Sequence, residues 1–290
     1  MSTRLFVYNK AKGERIMVFI EYIKVILIGI IEGITEWLPV SSTGHMLLFD
    51  AFIPLDMSEK FKEMFFVVIQ FGAILAVVAA FWRRMIPFEV KNKKFELRTD
   101  RIMMWVHVLI ACIPAAVLGL LFDDFLEAHF GNALTIALML IIYGVAFILV
   151  ENYNKKREPK IGSISQIDYK TALFIGCFQA LSMLPGTSRS GATIIGALLL
   201  GVSRVAAAEF TFYLAVPTML GASLLKLVKF GIEFTASEAI ALLIGMLTAF
   251  VVSLFAVKFL MNYVKRHDFK VFGWYRIALG IVILFIIKLI

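Results

Sequence analysis

Two short stretches hold most of the reactive side chains that lie within apolar sequence. The first is Glu32-x-x-x-Glu36 followed by Trp37-Leu38-Pro39-Val40-Ser41-Ser42-Thr43-Gly44-His45, and the second is Pro185-Gly186-Thr187-Ser188-Arg189-Ser190-Gly191-Ala192-Thr193. Glutamates four apart stack on one face of a helix. Two carboxylates with free oxygens suit a hard divalent cation, Mg²⁺ or Ca²⁺, which in turn binds phosphate. Arg189 stands among small hydroxyl residues where a helix is expected to open. Its planar fork matches phosphate oxygens, and a helix N-terminus adds free amides and partial positive charge. Ser42 and His45, three apart, are a nucleophile and base in outline. Blander roles exist for each: an ion pair for the glutamates, an interfacial position for Arg189, a helix cap and a hydrogen-bonded core histidine for Ser42 and His45. The apolar surroundings decide for function, because a charge near the bilayer centre costs several kcal/mol and persists where it has work. His107, His129 and His267 lack such company and read as structural or solvated.

The surroundings are apolar throughout. Of 290 residues, 61% are hydrophobic and 17% charged, and the mean hydropathy is +0.89, which excludes a soluble globule with a solvated surface. A helix needs about 20 apolar residues to cross a bilayer. Six runs qualify: 64–82, 102–122, 133–150, 205–227, 239–264 and 271–290. Two others, 25–49 and 171–200, are broken midway by the Pro, Gly and Ser/Thr clusters above. Backbone that leaves the helix within hydrocarbon is tolerated only against protein or a wet cavity, so both read as helix, loop and helix meeting at a site. The net charge of +8 lies in short loops and is a topology signal, which discounts nucleic acid as a partner. Cys112 and Cys177 sit inside apolar runs without metal-ligand spacing and read as small core residues. The basic stretch 1–17 lacks a following A-x-A pattern and reads as retained.

Basic residues crowd three loops: Arg83, Arg84, Lys91, Lys93, Lys94, Arg98 and Arg101; Lys155, Lys156, Arg157, Lys160 and Lys170; and Lys265, Arg266 and Lys270. These are expected in the cytoplasm. Asp123, Asp124 and Glu127 occupy a loop without Lys or Arg, as suits the outer face. All three basic loops fall on one side only if the second broken segment returns to the side it entered. Re-entrance of the first segment places the N-terminus and the loop 50–63 outside, against the preference of Arg4, Lys10, Lys12, Arg15 and Lys24 for the cytoplasm.

An internal repeat favours re-entrance in both. Ile28-Gly29-x-x-Glu32-Gly33-Ile34-Thr35 lies over Ile175-Gly176-x-x-Gln179-Ala180-Leu181-Ser182, and Ser41-x-Thr43-Gly44 over Ser188-x-Ser190-Gly191, with the prolines one position out of register. Each half is then one hairpin followed by three spans. Three is odd, so the second copy enters from the opposite face, an inverted-topology repeat with its site near the midplane. The expected fold is an all-α polytopic membrane protein, a single membrane domain with six transmembrane helices and two re-entrant helical hairpins. Its parts are an N-terminal extension (1–24), a first repeat (25–151), a cytoplasmic basic linker (152–170) and a second repeat (171–290). Gly29/Gly33 and Gly176/Ala180 are small pairs that allow close helix packing.

These motifs together closely resemble the two signatures of bacterial undecaprenyl-pyrophosphate phosphatases of the bacitracin-resistance type. The likeness extends to Phe81-Trp82-Arg83-Arg84 and to Glu209-Phe210-x-Phe212-x-Leu214-Ala215-Val216-Pro217, and so from about residue 26 to the end. It implies a multi-pass protein of the bacterial inner membrane that removes the terminal phosphate from a C55 polyprenyl pyrophosphate and recycles the lipid carrier of cell-wall synthesis. It further implies Glu32 and Glu36 as holders of Mg²⁺ or Ca²⁺, Arg189 as the pyrophosphate clamp, and Ser42 with His45 as the reacting pair. Ser41, Thr43, Gly186, Thr187, Ser188, Ser190 and Thr193 would line the substrate. Two assignments stay open: Ser42 attacking with His45 as base, or His45 attacking directly. The first copy carries Glu32 and Glu36 where the second has Gln179 and Met183, and the second carries Arg189 where the first has Ser42. One hairpin would thus do the chemistry and the other hold the anion. A lipid flippase or secondary transporter is the rival reading, since broken helices in inverted repeats also build transporters. The charge pattern puts the site on the extracytoplasmic side, reached laterally by the lipid tail among membrane lipids. A homodimer is compatible with the sequence and not required by it.

Overall fold

A computed structural model describes the backbone of residues 2–91, 94–231 and 234–289, and side chains of residues 18–89, 96–122, 124–231 and 234–288. The side chains of Arg4, Lys10, Lys12, Arg15, Lys91, Lys93, Lys94 and Asp123, used above as topology signals, lie outside the described residues. The described chain is helical almost throughout. Helix α1 (Ser2–Thr35) leads into α2 (Ser42–Phe52), α3 (Glu59–Met85), α4 (Thr99–Phe130) and α5 (Ala133–Asn154). After a linker come α6 (Tyr169–Ala180), α7 (Arg189–Leu199), α8 (Arg204–Phe230), α9 (Ala236–Tyr263) and α10 (Lys270–Leu289). Six helices among the described residues are long and apolar enough to cross a membrane: α3, α4 over Thr99–Phe122, α5, α8, α9 and α10 over Lys270–Lys288. The protein is an all-α polytopic membrane protein. One short antiparallel pair, β1 (Phe88–Lys91) with β2 (Lys94–Leu97), interrupts the helices in the first basic loop. Its apolar residues alternate over too few positions to stand out in a scan for long spans.

Helix starts follow from the residues at their boundaries. Ser58, Asn132, Asp168, Ser203 and Thr235 each accept a bond from the amide three residues on, capping α3, α5, α6, α8 and α9. Helix α1 runs unbroken through residue 24, where the sequence suggests an extension giving way to the first repeat.

Both broken segments return to the side they enter. Lys24 Nζ donates to the Pro54 carbonyl at 2.7 Å and the Asp56 amide donates to Glu21 at 3.0 Å, so the α2–α3 loop lies beside α1 where it enters the fold. In the second half the linker adjoins the α7–α8 loop: the Lys160 amide donates to Gly201 O at 2.9 Å and the Ser203 amide to Ile161 O at 2.8 Å. These two ends face opposite ways. Helix α3 begins at the first end, and Arg84 at its finish meets Glu209 near the start of α8 at 3.1 Å. The finish of α8 is back at the first end, with Phe230 against Phe61. The α9–α10 loop joins the basic face, where the Phe269 amide donates to buried Glu151 at 3.0 Å. The three basic loops therefore share one face.

The helix pairing repeats with the halves exchanged. Helix α1 lies along α9 as α6 lies along α4, while α3 packs on α8 and α5 on α10. The small residues serve these contacts. A Cβ at Gly29 or Gly33 would stand 2.9 Å from the Gly245 or Ala249 carbonyl of α9, and one at Gly176 would run into the Ala111 carbonyl of α4. A large aromatic group, Trp37, Phe81, Phe212 and Tyr213, fills the space under the first hairpin tip. Trp37 meets Phe212 edge-on at 5.2 Å and Phe81 meets Tyr213 edge-on at 5.4 Å.

In a variant lacking Cys112 and Cys177, a cysteine at Ser58 is expected to react with a membrane-impermeant thiol reagent on intact cells. A cysteine at Lys156 is expected to react only once the cytoplasm is opened; the reverse pattern would invert the topology.

Candidate active site

The hairpin tips are built alike. Helix α1 ends at Thr35, and α2 restarts with Ser41 as its cap, accepting from the Gly44 amide at 3.4 Å. In the second hairpin α6 ends at Ala180, residues 181–183 make one tight turn, and α7 restarts with Ser188 as cap, accepting from the Gly191 amide at 3.2 Å. Both serines hold left-handed backbone, φ 72° at Ser41 and 70° at Ser188. They are the only non-glycine residues with positive φ among those described, and they are the two serines that the repeat superposes. Such conformations cost about 1–3 kcal/mol each and persist where the surroundings over-determine them. Gly186 is positioned by necessity: its φ is +91° and a Cβ there would lie 2.5 Å from the Ile136 carbonyl.

Glu36 joins the two tips. One of its carboxylate oxygens accepts from Ser42 Oγ at 2.9 Å. The other accepts from Arg189 Nη2 at 3.2 Å, with both side chains about nine-tenths buried. Its backbone carbonyl accepts from Ser190 Oγ at 3.2 Å. Arg189 is held in turn by the Thr211 carbonyl, 3.0 Å from Nη1, and lies over the Trp37 ring at 5.9 Å. Thr193 Oγ1 donates to the Arg189 carbonyl at 2.9 Å and accepts from Thr211 Oγ1 at 2.9 Å, fixing the first turn of α7 on α8. Ser188 Oγ lies 3.1 Å from Ser190 Oγ. The helix starts of α2 and α7 add first-turn amides that no helical carbonyl can satisfy.

His45 is placed differently from the sequence expectation. Its Nδ1 lies 2.7 Å from the Ser41 carbonyl and its Nε2 2.7 Å from the Tyr275 hydroxyl, with the two rings stacked. A carbonyl can only accept, so Nδ1 carries a proton, and Nε2 is paired with the Tyr275 hydroxyl. The Ser42 hydroxyl is on Glu36 instead. Thr43 is exposed on the first turn of α2.

Several buried polar atoms are unpartnered among the described residues: Glu32 Oε1, Thr187 Oγ1, Arg189 Nε and Arg276 Nε are four of them. Buried polar groups are normally satisfied, so their gathering on the two hairpins and their neighbour marks a place for a polar ligand. The donor set at Glu32 and Glu36 fits a hard divalent cation, with an orphan buried oxygen on Glu32 and further lone pairs on Glu36. No group of three or more His, Cys, Asp or Glu converges among the described residues. A cation here would complete its shell with water and phosphate oxygens, as Mg²⁺ commonly does.

Arg276 and Tyr275 of α10, Thr211 of α8 and Trp37 were not singled out in the sequence. Arg276 is fully buried and donates to Pro39 O at 3.2 Å, Gly186 O at 2.9 Å and Thr187 O at 2.7 Å. The signal was present, since an arginine within the apolar run 271–290 is itself an intramembrane charge. Tyr275 and Thr211 offered no such mark.

A profile of the family described as bacitracin resistance protein BacA matches residues 25–282, which include both hairpins and Arg276. The chain is 65% identical to an undecaprenyl-diphosphatase of Enterococcus faecalis, over 92% of this chain and 98% of that protein. It is 58% identical to the undecaprenyl-diphosphatase of Desulfitobacterium hafniense, over 92% of this chain and 96% of that one. Against undecaprenyl-diphosphatase 1 of Clostridium acetobutylicum the identity is 57%, covering 92% and 98%.

Gly186→Ala is expected to lower the thermal midpoint of the detergent-solubilised protein, by a loss of more than ~1 kcal/mol. Gly221→Ala, where a Cβ meets nothing within 4 Å, is the control and is expected to leave the midpoint in place.

Proposed function

This chain belongs to the bacitracin resistance protein BacA family, and from that premise we propose that it is an undecaprenyl-diphosphatase of the bacterial inner membrane. It would hydrolyse the terminal phosphate of a C55 polyprenyl pyrophosphate, with its active site open to the extracytoplasmic side. The observation that carries the chemistry is the chain of contacts from Ser42 Oγ through the Glu36 carboxylate to the Arg189 guanidinium. It sets a hydroxyl, a proton acceptor and a cation side by side at the starts of two helices.

Phosphoryl transfer depends on in-line positioning and charge neutralisation more than on any other assistance. In the proposed reaction Ser42 Oγ attacks the terminal phosphorus while Glu36 takes the hydroxyl proton. The bond to the bridging oxygen breaks and polyprenyl monophosphate leaves with the proton from Glu36, which frees that carboxylate to act again. A water activated by Glu36 then attacks the phosphoserine, releasing inorganic phosphate and restoring Ser42. Arg189 holds the pyrophosphate, aided by the amides and hydroxyls of Thr187, Ser188 and Ser190. Thr193 keeps Arg189 in place from behind. Glu32 and Glu36 would hold a Mg²⁺ or Ca²⁺ ion, whose contribution is to neutralise pyrophosphate charge. His45, occupied at both nitrogens, orients the first turn of α2 through Ser41 and Tyr275. This gives the role of base to Glu36 in place of His45.

Purified protein in detergent is expected to release inorganic phosphate from a polyprenyl pyrophosphate when a divalent cation is added, and to stop on addition of EDTA. No release, with reconstituted vesicles still moving lipid between leaflets, would establish the flippase reading instead. Ser42→Ala, Glu36→Ala and Arg189→Ala should each lower kcat by ~10²–10³-fold or more, in the range seen when one group that stabilises a transition state is removed. Turnover retained in Ser42→Ala, and lost in His45→Ala, would transfer the nucleophile to His45.

A further inference from the structure

The proposed reaction leaves Arg276 unused, although it is among the largest fully buried side chains of the protein. Among the described residues its guanidinium contacts three carbonyls and no carboxylate. The Tyr143 ring lies 5.7 Å from it, and Nε has no partner. A buried charge that meets only neutral groups is a poor source of stability, and an apolar side chain of similar volume often serves as well or better. What a guanidinium adds is a rigid fork of donors in fixed directions.

Those directions coincide with the repeat. Pro39 stands two residues before cap Ser41, and Gly186 stands two residues before cap Ser188. Arg276 thus donates through Nη1 and Nη2 to the equivalent carbonyl in each copy, with Thr187 O as a second acceptor in the later one. Two residues beyond each of these equivalent carbonyls the chain enters the strained left-handed backbone at Ser41 or Ser188, and then the helix start that bears Ser42 or Arg189. Gly191, in the first turn of α7, leaves room for the fork: a Cβ there would stand 2.9 Å from Arg276 Nη1. Arg276 is carried into place by the close crossing of α5 and α10, where Gly144 and Gly273 each have the other's carbonyl 2.7 Å from where a Cβ would be.

We propose that Arg276 is a positioning residue for this reaction, a single fork near the axis relating the two hairpins that sets their loops at the spacing at which Ser42, Glu36 and Arg189 meet. This rests on the proposed hydrolysis, while its geometric part stands apart from it. Arg276 touches neither Ser42 nor Arg189 in these contacts and acts through the backbone of both loops.

The test uses the full-length protein, purified in detergent. Arg276→Lys keeps the charge and removes the fork. It is expected to lower kcat by ~10–100-fold, the scale of a misplaced catalytic group, with KM changed by less than about threefold on the same scale. Arg276→Met removes the buried charge at similar volume and should lose turnover while keeping or raising the thermal midpoint. In parallel, spin labels at the exposed ends Phe52 of α2 and Leu199 of α7, in a background without Cys112 and Cys177, report the separation of the hairpins. The distance distribution is expected to be narrow in the parent and broadened in Arg276→Lys. If either Arg276 variant fails to fold, Gly191→Ala, which presses on Nη1 without touching α10's sequence, decides, and it should broaden the same distribution and lower kcat. Folded variants with the parent's distribution and kcat would overturn the proposal. Absence of phosphate release by the parent itself would remove the hydrolase reading, and the label distances would still judge the fork.

Discussion

A chain that leaves the helix inside hydrocarbon exposes amides and carbonyls that no solvent can satisfy, and the fold is arranged around supplying them from protein. At both tips the supply is local first: cap serines for the restarting helices, then side chains from the opposing hairpin and from α10. The Glu36–Arg189 pair follows from the same constraint. Both side chains are about nine-tenths buried and each is the other's partner, and that contact ties the hairpins tip to tip. Aromatic packing under Trp37 and the tight glycine crossings of α1 on α9 and α6 on α4 hold the arms that bring the tips together.

Much of this was legible in the sequence, and the reasons are specific. Pro, Gly and clustered hydroxyls in the middle of an apolar run contradict an uninterrupted span, so 25–49 and 171–200 announced themselves as hairpins. The motif alignment paired Ser41 with Ser188, and these proved to share both the capping role and the rare backbone conformation. Loop charge gave the common face of the three basic loops. What escaped depends on how the chain doubles back. Ser42 lies six residues from Glu36, a separation that means nothing until the turn at Pro39 folds it onto the carboxylate, whereas His45 is three residues away along a helix and drew attention by periodicity. Arg276 escaped because one arginine barely lowers the hydropathy of a 20-residue span.

The two copies also differ in how they satisfy equivalent positions. Where the first has buried Glu32 with an orphan oxygen, the second has Gln179 exchanging bonds with Thr218 at 3.3 Å and 3.5 Å. The amide is closed upon its neighbour, and the carboxyl group keeps one oxygen open. Among the described residues the first hairpin leaves Glu32 Oε1 without a partner, and the second leaves Thr187 Oγ1 and Arg189 Nε so.

The complementarity of the tips has a consequence for how such a protein can be assembled. Two identical chains around a twofold axis must show each other the same tip, carboxylate against carboxylate and guanidinium against guanidinium. A Glu36 on one side facing an Arg189 on the other, with a single Arg276 reaching both loops, requires that the partners be different, and in one chain they are free to be. Divergence of the two halves in sequence is therefore the condition that lets a symmetric scaffold hold an asymmetric centre.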